Sequence, residues 1–218
     1  SVSRTGLMAL LLGFFILPFS LSALNHDLWD MLLKKNVSEK GQVDYQGFQN
    51  SKAELEKYLL HLQNNSPQKN WSRSEIMAYW INAYNAYTVK LVLSEMPLKS
   101  IMDIDNGKAW DRSFIPHKGE KISLNFIEHK ILRANFKDAR IHFAVNCASF
   151  SCPKLSRTAF TAENLETQLE TLSRSFVNNP SKNKISSNSI RISLLFDWYK
   201  EDFTSSGTLI DLLNKYSS

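Results

Sequence analysis

The stretch SRSEIMAYWINAYNAYTVKLVLSEMP, residues 72–97, decides the fold class of this chain. Ser72 with Glu75 three places on forms a capping box, so the spacing predicts a helix from about Ser74 to Glu95, closed by Pro97. Ile76, Met77, Trp80, Ile81, Tyr84, Tyr87, Val89, Leu91 and Val92 cover nearly its whole circumference. A helix that is apolar all round belongs in the middle of a domain, and this one is the predicted central core helix.

On its amino-terminal side, Leu24, Leu28, Met31 and Leu32 recur at helical spacing and predict a short amphipathic helix. Gly41, Val43 and Tyr45 read as a turn into an extended piece, and Leu55, Leu59 and Leu62 place a second helix over about Lys52 to Leu62. On its carboxy-terminal side, Phe114 to Leu124 reads as a hairpin turning at Lys118-Gly119, with Ser123 capping a helix from Leu124 to Arg133. Arg140 to Asn146 alternates Ile141, Phe143 and Val145 with polar or small residues, the pattern of a half-buried strand. A helix from Thr161 to Val177, a hairpin through Ile185, Ile190 and Ile192, and two short helices near Asp197 and Leu212 complete the chain. Helices mixed with short strands, without a βαβ rhythm, give an α+β fold: a central buried helix packed on a small, mostly antiparallel sheet.

The 218 residues carry 26 Lys and Arg against 21 Asp and Glu, a formal net charge of +5. The excess is small and without blocks, so no nucleic-acid partner is expected. Gly6 to Leu17 is an unbroken apolar run behind Arg4, leading through Pro18 to Ser20-Leu21-Ser22-Ala23. That order predicts a secretory signal peptide over residues 1–23, cut after Ala23. The run is shorter than the ~20 apolar residues of a membrane span. Residues 24–218 are then a single globular α+β domain, periplasmic or secreted, with no integral membrane segment after signal removal.

Three stretches carry candidate chemistry. In the first, Asn82 and Asn85 lie one turn apart on the buried helix, and buried carboxamides must find partners. They either tie down a neighbouring backbone or, in the case of Asn82, donate to a substrate oxygen. In the second, Glu128-His129, helical spacing turns Glu128 inward beside Leu124, Ile127 and Ile131, where it needs a partner such as Arg140 or His142, while His129 falls toward the flank. The third runs from His142 through Asn146 to Cys147, Ser151, Cys152 and Pro153 and holds both cysteines of the chain. Outside the cytoplasm two cysteines read as a disulfide, and four intervening residues suffice to close one. The other reading makes Cys147 a thiolate nucleophile with a nearby base. His142, Cys147, Cys152 and His129 are suitable metal ligands in type but have no familiar spacing, so neither metal nor cofactor is expected. His26, His61 and His117 stand alone and read as surface residues.

Trp80 to Ala86, Ser123 to Arg133 and Arg140 to Pro153, followed by Leu194-Leu195-Phe196-Asp197-Trp198-Tyr199, together resemble the uncharacterised family known as domain of unknown function 547. The likeness covers about Val43 to Phe203. It implies a shared domain, commonly exported in bacterial members, and hands over no settled reaction, substrate or catalytic residue.

Two functions are compatible with these residues. One is a thiol-dependent hydrolase or acyl transferase, papain-like or transglutaminase-like by analogy of fold, acting on a peptide or small-molecule substrate. Cys147 attacks, His129 or His142 takes the proton, Glu128 orients that His and Asn82 steadies the oxyanion, with Asn85, Arg140, Asn146, Ser151 and Cys152 lining the binding site. The other is a non-catalytic binding or scaffold domain. There Cys147 and Cys152 form a disulfide, and Asn82, Glu128, Arg140 and His142 make a buried polar network that fixes the loop for a partner.

Overall fold

The structure, a computed structural model, describes residues 24–149, 151–186 and 188–218. The predicted signal peptide lies outside the described residues.

The central helix, α4, runs Arg73–Ser94. Ser72 Oγ accepts from the Glu75 N–H at 3.2 Å, and the Glu75 carboxylate accepts from the Ser72 N–H at 2.6 Å. The reciprocal pair satisfies two donors that a helix start would otherwise leave bare. Every residue from Met77 to Val89 is buried. α2 (Tyr45–Asn50) and α3 (Lys52–Asn64) lie against α4, and α1 (Asp27–Asn36) packs on both of them. The inward stripe of α1 is Trp29, Leu32 and Leu33, while Met31 is 48 % exposed. Trp29 stacks on Tyr58 of α3 and so sets the rotation of the helix. Tyr45 opens α2 instead of extending a strand, and only Val37 and Val43 bridge across the preceding turn.

β1 (Ile115–His117) and β2 (Glu120–Ile122) pair antiparallel, with Ile115 opposite Ile122. Lys118 and Gly119 both have positive φ, 50° and 85°, the turn whose twist matches a two-residue hairpin. Next come a π-helical segment, Phe126–Arg133, then α5 (Ala134–Phe136), α6 (Ile141–Ala144) and α7 (Leu165–Val177). A second ribbon pairs β3 (Lys184–Ile185) with β4 (Ile190–Arg191), and α8 (Leu195–Trp198), α9 (Lys200–Phe203) and α10 (Leu209–Tyr216) close the chain.

The architecture is α+β, with helices dominant and two separate two-stranded sheets. The main packing partners of α4 are helices: α2, α3 and the π-helical segment. Strands two or three residues long offer too little apolar surface to cover a helix buried on all sides.

Residues 140–146 do not form the predicted strand. Ile141 to Ala144 make one helical turn, and Val145 is extended. Ile141, Ala144 and Val145 belong to the main core around α4, whereas Phe143 points into a second core with Phe176, Phe196 and Phe203. The alternation reflects a turn buried between two cores, not one face of a sheet. Among the described residues no helix is long and apolar enough to cross a membrane.

Candidate functional site

The two Asn of α4 are both committed to backbone. Asn82 donates to the Phe160 carbonyl at 2.7 Å and accepts from the Phe160 N–H at 3.0 Å. Asn85 donates to the Ala144 carbonyl at 3.0 Å and accepts from the Asn146 N–H at 2.8 Å. Each carboxamide thus substitutes for a strand partner and pins an irregular segment to the central helix. Asn82 is 0 % exposed, so this rigid geometry gives its donor no access to a substrate oxygen.

The segment that Asn85 pins leads into the cysteine loop. Asn146 Oδ1 accepts from the Ala148 N–H at 3.1 Å, and its Nδ2 donates to the Pro153 carbonyl at 2.8 Å, drawing the two ends of the loop together. Trp110 Nε1 donates to the Cys147 carbonyl at 3.2 Å. Cys147 and Cys152 lie at disulfide distance, their Cα atoms 5.9 Å apart, within the usual span of such a bridge. Ala148 sits at φ 58°, a left-handed conformation that costs a side-chain-bearing residue ~1 kcal/mol and that the surrounding bonds hold in place. Ser151 is half-buried on the same loop.

A second cluster surrounds His142, whose residue is 1 % exposed. Its Nε2 meets Asp202 Oδ2 at 2.6 Å, which fixes the proton on that nitrogen while the ring is neutral. Nδ1 has no hydrogen-bond partner among the described residues and faces Glu128 Oε1 at 3.9 Å. Tyr199 stacks on the imidazole at 3.7 Å between centroids, and Phe203 lies 5.4 Å away. Burial depresses the His142 pKa, although the Asp202 bond and the Glu128 charge oppose it. Glu128 is 4 % exposed, as the helical spacing requires, and the Tyr84 and Tyr199 hydroxyls are placed to donate to it. Burial first, and the Glu128 charge second, hold both phenols protonated. Asp202 is opposed by burial, yet Arg133 and His142 bring its carboxyl below the usual range. Arg133 makes the fork: Nε to Oδ2 at 2.6 Å and Nη2 to Oδ1 at 3.1 Å. Arg133 also donates to His129 Nδ1 at 3.1 Å and lies over the Tyr199 ring.

The structure therefore brings Glu128 and His142 together, with His129 joined through Arg133. It sends Arg140 elsewhere, to Asp138, Glu166 and Glu170, and so removes it from the Glu128 network. Asp202, Arg133 and Tyr199 are the members that sequence reading missed. Arg133 lies four residues after His129 on the helix already singled out, and Tyr199 closes the Leu194 to Tyr199 segment. His26, expected at the surface, is 6 % exposed and bonds the Tyr58 hydroxyl through Nδ1 at 2.7 Å. Among the described residues no group of three or more His, Cys, Asp or Glu is placed to hold a metal ion.

Comparison with known proteins decides the family on residues 68–177, which match the profile described as "Protein of unknown function, DUF547". The chain belongs to the DUF547 family. The matched region contains α4 with both Asn, the Glu128-His129 pair, His142 and the whole cysteine loop. Tyr199 and Asp202 lie beyond it, so the DUF547 match holds only part of the His142 cluster. No curated protein and no solved structure gives a significant match.

Proposed function

We propose that this DUF547 protein is an exported, non-catalytic binding domain in which a disulfide between Cys147 and Cys152 shapes a recognition surface, carried by residues 146–149 and 151–153, for a peptide or small molecule. The observation that carries this reading is that the loop is held from four directions: by the Cys147 to Cys152 bond, by Asn85, by Trp110 and by Asn146 across its own ends. A pre-shaped loop loses little conformational entropy when a ligand binds, which is the usual advantage of such rigidity. Two of the groups that catalysis would need are committed elsewhere, Asn82 to Phe160 and His129 to Arg133, and in this reading the bridge commits the sulfur as well.

The test is the redox state of protein taken from the oxidising compartment. Its intact mass should be two hydrogens lighter than that of the reduced chain, and alkylation without reductant should label neither cysteine. Labelling of Cys147 would overturn the reading.

One observation favours the thiol-dependent hydrolase or acyl transferase instead. Asp202 orients His142 through Nε2 and leaves the Nδ1 lone pair without a hydrogen-bond partner, the arrangement of an oriented general base. That reading requires the disulfide to open and the Tyr199 ring to uncover the imidazole. It predicts hydrolysis or acyl transfer that appears on reduction and is lost in Cys147→Ser.

A further inference from the structure

A cavity of about 500 Å³ opens beside Asp202, away from the cysteine loop. Its size falls within the ~300–1,000 Å³ of small-molecule sites. The lining comes from the start of α4, from residues 136–140, and from α9 and α10 with the turn between them. Three carboxylates line it, and each is already bonded. Asp138 accepts from Arg140 Nε at 3.0 Å and Nη2 at 2.7 Å, and Asp202 accepts from the Arg133 fork and the His142 ring. Asp211 Oδ2 accepts from the Thr208 N–H at 2.9 Å and the Thr208 hydroxyl at 2.7 Å.

The four lining cations are bound less completely. Arg140 is engaged by Asp138 and, through Nη1, by Glu166 and Glu170, which stand outside the lining. Lys215 lies 3.6 Å from Glu170 and 4.9 Å from the centre of the Tyr216 ring. Arg73 and Lys137 have no ion-pair partner among the described residues. Arg73 Nη2 donates to the Phe136 carbonyl at 2.6 Å and Nη1 to the Asn135 carbonyl at 3.4 Å, with the guanidinium 4.7 Å from the Phe136 ring centre. Its direction is therefore fixed while its charge is not paired. The Phe136 carbonyl belongs to the peptide that leads into Lys137, so the second cation starts from the same edge of the cavity. Lys137 closes α5 in the left-handed conformation, φ 49°, where glycine is the usual choice. Its exposed side chain makes no hydrogen bond among the described residues. Burial opposes ionisation of Asp138, yet Arg140 and, more weakly, Arg73 hold its carboxyl below the usual range.

Two neighbouring cations without a counter-ion repel each other and attract an oxyanion, which the planar Arg73 fork matches in shape. The turn between α9 and α10 adds uncommitted polar groups, for the Ser206 hydroxyl and Asp211 Oδ1 make no hydrogen bond among the described residues. Asp211 Oδ1 can accept from a hydroxyl but would repel a second anionic group, so the lining suits one charge on a hydroxylated body. We propose that this cavity is a binding site for a small hydroxylated anion, with carboxylate or phosphate oxygens on Arg73 and Lys137 and hydroxyls on Ser206 and Asp211. Phe136 and Leu212 offer the carbon skeleton an apolar contact. The site goes beyond the recognition surface and shares no residue with the cysteine loop, so a ligand titration and sulfur mapping can fail separately.

The test is calorimetric titration of the purified protein with glucuronate, inositol monophosphate and, as the neutral control, inositol. One or both anions should bind at a single site per chain, and inositol at least roughly tenfold more weakly. Binding of glucuronate alone makes the ligand group a carboxylate, and binding of inositol monophosphate alone makes it a phosphate. Raising salt to about 0.5 M should weaken the complex severalfold, because the Debye length then falls to a few ångströms. Lys137→Gly should weaken binding roughly tenfold without lowering the melting temperature, since glycine adopts the left-handed backbone freely. Arg73→Lys keeps the charge, loses the fork and should weaken binding severalfold. Saturable binding of neither anion, equal affinity for inositol, or undiminished affinity in Lys137→Gly would overturn the site.

Discussion

Replacing Asn85 with Ala tests how the central helix controls the cysteine loop. Asn85 is 2 % exposed, and its carboxamide satisfies the Ala144 carbonyl and the Asn146 N–H at 3.0 and 2.8 Å. Truncation leaves both backbone groups without that partner. A buried group left unsatisfied costs about 1–3 kcal/mol, and the Asn146 N–H, only partly buried, recovers some of its share from water. The expected loss is about 3 kcal/mol in a urea titration, with an unchanged slope, and a fall of roughly 6–12 °C in melting temperature for a domain of this size. The effect is also local: the Asn146 amide hydrogen should exchange through local opening, faster than amides at the middle of α4, which follow only the global change. A loss below about 1 kcal/mol with the Asn146 amide still protected would refute the claim that this clamp sets the loop.

Reduction of the disulfide should destabilise the fold by only about 2 kcal/mol, the loop-closure value for so short a ring, as read by urea unfolding with and without reductant. Stability should fall as pH drops from 6.5 toward 4. Burial lowers the His26 pKa to about 4, so below 6.5 the unfolded chain binds a proton that the folded chain refuses. His142, depressed in the same direction, adds to the loss. The His26 share is about 3 kcal/mol at full development, and the slope of unfolding free energy against pH should flatten in His26→Gln. Asp202→Asn removes the anion shared by Arg133 and His142 and should cost about 2–4 kcal/mol by chemical denaturation, with the His142 ring resonances of the folded protein shifted. Ala148→Gly relieves a left-handed backbone at φ 58° and should raise stability by up to about 1 kcal/mol in the same assay, without disturbing the disulfide.

Features that depend on neighbours a few places along the chain are legible without coordinates. The capping box at Ser72 and Glu75, the all-round apolar α4, the Lys118-Gly119 hairpin and the inward turn of Glu128 each follow from spacing, because a helix or a two-residue turn is closed by local bonds. The π-helical character of Phe126–Arg133 escaped that arithmetic, since it changes the hydrogen-bond ladder without changing which residues are apolar. Segment 140–146 was misleading for a different reason. Burial against two cores imitates the alternation of a strand, and only the position of the second core around Phe143 distinguishes them.

What the tertiary structure alone decided is the choice of partners between distant segments. Glu128 had two expected partners, and packing set it beside His142 and under the Tyr84 and Tyr199 hydroxyls while Asp138 and two residues of α7 claimed Arg140. Asp202 lies 60 residues from His142, in a stretch with no pattern that marks it. His26 is inside because Tyr58, 32 residues on, offers it a hydroxyl. Such pairings depend on the path of the whole chain, because a buried polar group takes whichever partner the packed elements bring within about 3 Å, however far away it lies in the sequence.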